Sequence, residues 1–132
     1  MEIVVSQEQG RVPVTVLHLN GRLDATSHEQ LRAQAEQVIK GGAQKLLIDF
    51  SHVDYMSSAG NRVLNQIFDL LRPRSSTADQ TMGKGLRDGT YKSPNLKLVN
   101  PNPRVLESLK MVGMDMFLEI FSDLKTALAS FS

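Results

Sequence analysis

The stretch KLLIDFSHVDYMSSAGNRVL, residues 45–64, joins a continuous apolar run to two serines and a helix-like pattern. A short apolar run such as Lys45–Phe50 is typical of an interior parallel strand, because both faces of such a strand are buried. From about Ser58 to Leu71 the spacing becomes that of an amphipathic helix, with an apolar face formed by Val63, Ile67, Leu70 and Leu71. The stretch therefore predicts a strand that leads directly into a helix, with Ser57 and Ser58 at the junction.

The same alternation of strand-like and helix-like periods on both sides of this stretch predicts an α/β chain. Upstream, EIVVS and VPVTVLHL around Gly10 predict a β-hairpin, and Thr26 with Glu29 predicts a capping box that opens a helix ending at Gly41–Gly42. Downstream, LKLVN and MFLEIF predict strands. Each is followed by a helix, NPRVLESLKMVGM with Asn102 as its cap and SDLKTALASF with Ser122 as its cap.

Composition limits the classes of function. A chain of 132 residues with 41% hydrophobic residues can form one domain with its own core. A net charge of +1 gives no global attraction to nucleic acid or a membrane surface, and no apolar run approaches the ~20 residues that cross a bilayer. The lack of cysteine excludes thiol catalysis, and the first residues lack a signal-peptide pattern. We expect a single cytoplasmic domain, residues 1–132, without direct nucleic-acid binding or membrane insertion.

Residues 72–95, RPRSSTADQTMGKGLRDGTYKSPN, differ from the rest of the chain. They contain almost no apolar residues, three glycines and two prolines, and five basic residues against two acidic ones. This composition predicts a long polar, basic loop insertion. A flexible insertion is favoured over a basic contact surface, because added loop length costs little free energy.

Catalytic and metal-binding roles have weak support. MSSAG overlaps the G-x-S-x-G nucleophile motif at Ser58 and Gly60, but Met56 replaces its first glycine. All three histidines (His18, His28 and His52) precede the serine, whereas in that hydrolase order the histidine follows it. The carboxylates Asp24, Asp49 and Asp54 are scattered, without ligand spacing to histidine. We therefore predict no catalytic residue, metal site or cofactor.

Two interpretations of the serines remain open on residue chemistry alone. A serine before a helix is a favoured N-cap, worth about 1 kcal/mol. A helix N-terminus also tolerates an attached phosphate, because its amides and partial positive charge favour anions. Phosphorylation there would add nearly two negative charges. Such a change would leave the domain folded and alter what its surface binds.

Three stretches resemble, in order, the STAS domain of bacterial anti-sigma-factor antagonists: GRLDATSHEQL at 21–31, KLLIDFSHVDYMSSAGNRVL at 45–64, and residues 96–131. They carry the family's G-x-L-D turn, D-x-S-x-V-x-x-[ILM] strand exit, S-x-G helix start and x-L-x-x-x-G-[LM] stretch. The resemblance covers nearly the whole chain except the 72–95 loop. It implies a single STAS domain of α/β class, with a mixed sheet of four to five strands flanked by about four helices.

The resemblance also implies a partner switch rather than an enzyme. In that family the unphosphorylated antagonist binds an anti-sigma-factor serine kinase, which then releases its sigma factor. The kinase phosphorylates the antagonist with ATP and so ends the interaction, and a metal-dependent serine phosphatase restores it. The alternative role within the family is a STAS subunit that holds a transporter ATPase in an assembly and is never phosphorylated.

Carried over by position, the family's phosphoacceptor falls on Ser58, with Ser57 as second choice. Ser57 stands where the family commonly has Asp, and Ala59 where it has a second Ser or Thr. The docking surface that the resemblance implies contains Gly21, Leu23, Asp24, Asp49, Asp54, Met56, Ser57, Ser58, Gly60, Asn61 and Arg62.

Overall fold

The protein was analysed as a computed structural model, which describes residues 1–72 and 92–132. Most of the predicted 72–95 loop lies outside these residues, and only Arg72 and residues 92–95 of it are described.

The described residues form an α/β domain of alternating strands and helices. The strands are β1 (Glu2–Gln9), β2 (Pro13–Leu23), β3 (Leu46–Met56), β4 (Leu96–Val99) and β5 (Glu119–Phe121). The helices are α1 (His28–Lys40), α2 (Ser58–Leu70), α3 (Pro103–Met111) and α4 (Leu124–Ala129), with a 3₁₀ turn at Met114–Met116.

The strands form one mixed sheet in the order β1-β2-β3-β4-β5. β1 pairs antiparallel with β2 through the predicted hairpin, and all the other pairs are parallel. The predicted mixed sheet flanked by about four helices is confirmed. Because parallel strands end at the same edge, the segments after β2 and β3 meet there.

The two faces of the sheet are covered unequally. One face carries the large core, in which Leu17, Leu19 and Ile48 are fully buried against the long helices. The other carries a small cluster around Val16, Leu47 and Phe131, covered by the short α4. The alternation of Val14 and Val16 with Leu17 and Leu19 along β2 places the two sets on opposite faces.

The C-terminal segment is fastened to the sheet by Lys97 of β4. This lysine is 4% exposed, and its Nζ donates to the backbone oxygen and the hydroxyl of Ser130, each at 3.0 Å. Nζ also lies 3.3 Å from a carboxylate oxygen of Glu119 and 4.8 Å from the ring centroid of Phe131. A buried ammonium is tolerated because each of these contacts replaces a water.

Two of the three assigned helix caps differ from the structure. The capping box is wrong: α1 begins at His28, and the Thr26 hydroxyl donates instead to Asp24 at 2.7 Å. The predicted Ser122 cap is also wrong, because Asp123 accepts the amide of Thr126 at 2.8 Å. The Asn102 cap is confirmed, since its side chain accepts from the amide of Val105 at 2.8 Å.

Gly60 allows the first turn of α2 to lie directly on the sheet. A Cβ at this position would collide with Cγ of Met56 and would lie 3.1 Å from Cγ of Leu23. Packing therefore also explains why the S-x-G motif has a glycine at this position.

Gly60→Ala is expected to lower the free energy of unfolding by about 1–3 kcal/mol, because the added methyl group overpacks the contact with Met56. Denaturant unfolding measures this change. In a Met56→Ala background, which is itself less stable, the added cost of Gly60→Ala should be smaller, since the colliding atoms are absent. Gly41→Ala is the matched control: its Cβ would meet only ordinary contacts at 3.5 Å, so its effect should be small. Equal losses at Gly41 and Gly60 would contradict this account.

Candidate docking and phosphorylation site

The site lies where β2 and β3 end side by side. Arg22 is opposite Tyr55 and Leu23 is opposite Met56 in the parallel register. The amide of Ser57 then donates to the carbonyl of Leu23 at 2.9 Å, which extends the pairing to the start of α2. The fold thus brings together segments 21–24 and 54–60, which are far apart in the sequence. Both segments contain residues predicted for the docking surface.

The two serines at the junction have different environments. Ser57 is the N-cap of α2: it has an extended backbone, it is half-buried, and its hydroxyl accepts the amide of Ala59 at 3.2 Å. Its carbonyl also accepts from the amides of Gly60 and Asn61. The sequence predicted a serine cap without assigning it to one of the two serines, and in the structure the cap is Ser57.

Ser58 is the first residue of α2, and its side chain is exposed. Its hydroxyl makes no hydrogen bond with any residue that the structure describes, and its amide comes before the first intrahelical bond. The first turn of α2 contains no acidic residue. The environment therefore combines a free hydroxyl with the positive end of a helix dipole.

Arg62 lies one helical turn after Ser58 and is also exposed. Residues four apart face the same side of a helix, so the two side chains are neighbours on the surface of α2. A basic side chain at this spacing can pair with a negative group on residue 58.

The turn after β2 is ordered by Asp24. Its carboxylate accepts from the amide and hydroxyl of Thr26 at 3.0 and 2.7 Å, and Arg22 lies 4.0 Å away. The hydrogen bonds from Thr26 hold the pKa of Asp24 below its ordinary value. Asp24 is therefore a turn-forming carboxylate at the rim of the site.

One surface feature at the ends of β2 and β3 has no signal in the sequence. The guanidinium of Arg22 lies 5.0 Å from the ring centroid of Tyr55, a cation–π distance. Next to it a groove of about 250 Å³ runs between β3 and α3, lined by Tyr55, Met56, Arg104, Glu107, Ser108 and Met111. Nothing in the spacing of residues 101–113 indicated that α3 borders this site, because the contact depends on how the chain returns to the sheet.

Four of the residues assigned to docking are buried beneath the surface. Leu23 is fully buried, and Met56, Gly60 and Asn61 are also buried, although part of Met56 lines the groove. The amide of Asn61 donates to the hydroxyl of Ser108 at 3.1 Å and so ties α2 to α3. In the free chain these side chains support the surface from beneath, and their part in docking stays a prediction.

Asp49 lies in the middle of β3, away from the strand ends. It accepts from Nδ1 of His18 at 2.8 Å and from the amide of Ser51 at 2.9 Å, while Nε2 of His18 contacts the hydroxyl of Ser6 at 2.9 Å. Burial raises the pKa of Asp49, but the hydrogen bonds from Ser51 and His18 outweigh it and leave the pKa below its ordinary value. We interpret this row, which crosses three neighbouring strands, as a network that holds β1, β2 and β3 in register.

The Ser6–His18–Asp49 row has the hydrogen-bond order of a hydrolase triad. Acyl transfer also needs a concave substrate site with oxyanion donors. The grooves between the described elements are lined by residues other than Ser6, His18 and Asp49, so the geometry favours a structural role for this row. Within residues 1–72 and 92–132 no three His, Asp or Glu side chains cluster as metal ligands. No helix in that part of the chain is long and apolar enough to cross a membrane.

Comparison with known proteins agrees with the fold. Residues 4–77 match the family model of the STAS domain. No curated protein sequence shows significant similarity to the chain.

Three solved structures are similar to the chain. An anti-sigma factor antagonist from Mycobacterium paratuberculosis has a TM-score of 0.72 and 19% identity, over 98% of this chain and 93% of that chain. A STAS-domain anti-sigma-factor antagonist protein from Planctomyces limnophilus has a TM-score of 0.69 and 23% identity, over 96% and 94%. The phosphorylated form of the Bacillus cell fate determinant SpoIIAA has a TM-score of 0.57 and 17% identity, over 94% and 96%.

Asp49→Asn is expected to lower stability at neutral pH, because the depressed pKa means that the folded state favours the carboxylate. That contribution is present above the ordinary carboxyl pKa of about 3.9 and is lost as pH falls toward the lower folded-state value. The stability difference between wild type and Asp49→Asn should therefore shrink as the pH falls from about 5.

Urea unfolding across this pH range measures the difference. Asp54→Asn is the control, because Asp54 is exposed on the same strand and makes none of these contacts. A pH-independent difference at Asp49 would contradict the assignment.

Proposed function

Since the chain belongs to the STAS-domain family, we propose that it is an anti-sigma-factor antagonist whose binding to an anti-sigma serine kinase is switched by phosphorylation of Ser58. In this scheme the kinase transfers the γ-phosphoryl group of ATP to the Ser58 hydroxyl and releases ADP and the hydroxyl proton. A metal-dependent phosphatase hydrolyses the phosphate ester. The chain itself contributes the acceptor and the docking surface.

The observation that carries the proposal is the difference between the adjacent serines. Ser57 uses its hydroxyl as the cap of α2, whereas the hydroxyl of Ser58 is exposed and without a hydrogen bond in the described part of the chain. A kinase can reach Ser58 without unwinding the helix. The structural similarity to a Bacillus protein known in a phosphorylated form also supports the proposal.

A phosphate on Ser58 should be compatible with the fold. Negative charge in the first turn of a helix is favourable by about 0.3–1 kcal/mol, and no acidic residue of that turn opposes it. Arg62 at the i+4 position can add a charge-assisted hydrogen bond. The modification therefore needs no rearrangement of the helix start.

The same phosphate should strongly change the affinity of the domain for a partner. We define the switch surface as Arg22, Asp54, Tyr55, Ser58 and Arg62, all of which are exposed. Before modification it carries two basic side chains, Arg22 and Arg62, and one acidic side chain, Asp54, so that a phosphate of nearly two negative charges reverses the sign of its formal charge. A charge that approaches a like charge on a partner at about 4 Å costs roughly 1–4 kcal/mol, depending on solvent screening. Binding then weakens by about tenfold or more, while the stability of the domain hardly changes.

The alternative is a STAS subunit of a transporter ATPase assembly that is not phosphorylated. It is favoured by Ser57, which stands where the family commonly has Asp and serves here as a cap. Co-purification distinguishes the two functions. An ATPase with transporter components supports the alternative, and a histidine-kinase-like serine kinase supports the switch.

Ser58→Ala is expected to abolish phosphorylation and leave the free energy of unfolding nearly unchanged, because the side chain is exposed and its hydroxyl makes no hydrogen bond with the described residues. Ser57→Ala should retain phosphorylation and lose about 1 kcal/mol, since it removes the cap. Intact-mass spectrometry after incubation with the anti-sigma serine kinase and Mg-ATP reads the first effect, and denaturant unfolding reads the second. Phosphate on Ser58→Ala would reject Ser58 as the acceptor.

Ser58→Glu and Ser58→Gln have similar shape and differ in charge. Ser58→Glu should fold normally and weaken kinase binding at least about tenfold, whereas Ser58→Gln should bind nearly as wild type. Titration calorimetry measures both affinities. Equal losses would indicate that side-chain size, and not charge, controls docking. Unfolding of Ser58→Glu alone would assign the residue a structural role.

A further inference from the structure

A cleft of about 280 Å³ lies at the starts of β3 and β4, at the opposite end of the strands from Ser58. Lys45 comes directly before β3 and Asn95 directly before β4, whereas Ser58 follows the end of β3. Since β3 has 11 residues, about 30 Å of strand separates the two regions. We call this site the basic cleft, and its walls include Ile39, Gln44, Lys45, Leu70, Arg72 and Asn95.

The basic cleft contains positive charge without a matching negative charge. Among the described residues its walls carry two basic side chains, Lys45 and Arg72, and no carboxylate. Both side chains are half-buried, and neither forms an ion pair within residues 1–72 and 92–132. Burial, and then the nearby charge of Lys97, lower the pKa of Lys45 below its ordinary value. An anion in the cleft would therefore stabilise the charged form of this lysine.

The two basic side chains also have hydrogen-bond donors available. Oδ1 of Asn95 accepts from Nζ of Lys45 at 2.6 Å, which fixes the ammonium in place. This contact uses one of the three ammonium hydrogens and leaves two for an acceptor in the cleft. Nε of Arg72 is buried and has no hydrogen-bond partner in the described part of the chain. A buried donor without an acceptor is unfavourable, so the arrangement favours a ligand that supplies oxygen atoms.

The basic side chains are not used as caps of the two helices that end beside the cleft. At the end of α1, the amides of Gly42 and Ala43 donate to the carbonyls of Ile39 and Val38, each at 3.0 Å. At the end of α2, Nδ2 of Asn95 donates to the carbonyl of the C-cap residue at 2.7 Å. These carbonyls have other donors, so the positive charges remain available to a ligand.

We propose that the basic cleft binds the phosphate group of a small phosphate monoester between Lys45 and Arg72. A phosphate dianion matches the two positive charges, and its terminal oxygens can accept hydrogen bonds from both the ammonium and the guanidinium group. The proposed site shares no residue with the switch surface, and phosphate binding here is independent of phosphorylation at Ser58.

The organic part of the ligand would lie in an adjoining groove of about 790 Å³. This groove shares Gln44 and Lys45 with the basic cleft, so a molecule held by its phosphate can extend into it. Its volume is within the range of small-molecule sites. The polar side chains of Gln7 and Thr15 line it together with Val12, which favours a hydroxylated organic part over a purely apolar one.

Nuclear magnetic resonance titration at constant ionic strength tests the proposal with three probes: inorganic phosphate, ribose 5-phosphate and ribose. At about pH 7.5 both phosphates are largely dianionic. Both should shift the amide resonances of Lys45 and Asn95, and ribose alone should not. Ribose 5-phosphate should bind more tightly than inorganic phosphate. Equal affinities would overturn the assignment of the organic part to the groove, and the absence of shifts with both phosphates would overturn the site.

Charge-removing variants test which residues hold the phosphate. Lys45→Gln and Arg72→Gln should each weaken the binding of inorganic phosphate at least about tenfold, because each removes one of the two matching charges. Lys40→Gln is the matched control, since it removes the same charge from the last turn of α1 outside the cleft. Its affinity should stay within about twofold of wild type.

Denaturant unfolding establishes that each variant is folded. Equal losses of affinity in all three variants would indicate a diffuse attraction of anions and would overturn the proposal. The proposal would also fail if Lys45→Gln and Arg72→Gln lowered the free energy of unfolding but bound phosphate as wild type does, since the two side chains would then serve only the stability of the fold.

Discussion

The close approach of α2 to the ends of β2 and β3 controls the rest of this structure. The absence of a side chain on Gly60 lets the first turn of the helix rest on Met56 and Leu23, and the amide of Ser57 is hydrogen bonded to Leu23. Because the turn is held from beneath, its outer side must face solvent. Ser58 and Arg62 lie on that outer side, so the same packing that buries the helix presents the proposed acceptor.

Negative charge added at Ser58 is expected to affect folding and partner recognition differently. The free amides of a helix start and a basic residue one turn later both favour an anion, so added charge there is compatible with the native state. A partner that lies on the same surface experiences that charge at short range and with less water between the groups. A single modification can thus change affinity by more than it changes stability, which is what a reversible switch requires.

The sequence was sufficient for the fold class, the hairpin and the strand–helix junction, because buried periodicity and turn residues report directly on these features. It was less informative where one polar side chain has several possible partners. The Thr26–Glu29 spacing is correct for a capping box, yet Asp24 competes for Thr26 and Arg32 for Glu29. Helix capping is decided by such local competition, which spacing does not reveal.

The candidate site shows the same division between local and tertiary information. The family motif placed the acceptor region at the strand–helix junction, where the described structure has an exposed serine. The motif did not distinguish exposed residues from the buried residues that support them. Leu23 and Asn61 belong to the same short motifs as exposed residues and differ from them only in tertiary contacts. The border that α3 provides was not predictable, since it depends on the return of the chain through β4.

The unequal covering of the two sheet faces has a consequence for how the domain opens. One face is sealed by a six-residue helix whose attachment relies on Lys97 and Phe131, whereas the other is sealed by helices of up to thirteen residues. Amide hydrogens beneath the short helix should exchange through a local fluctuation that leaves the α2 side intact. We therefore expect the C-terminal segment to open and close as a separate cooperative unit, without disturbing the face of the sheet that α2 covers.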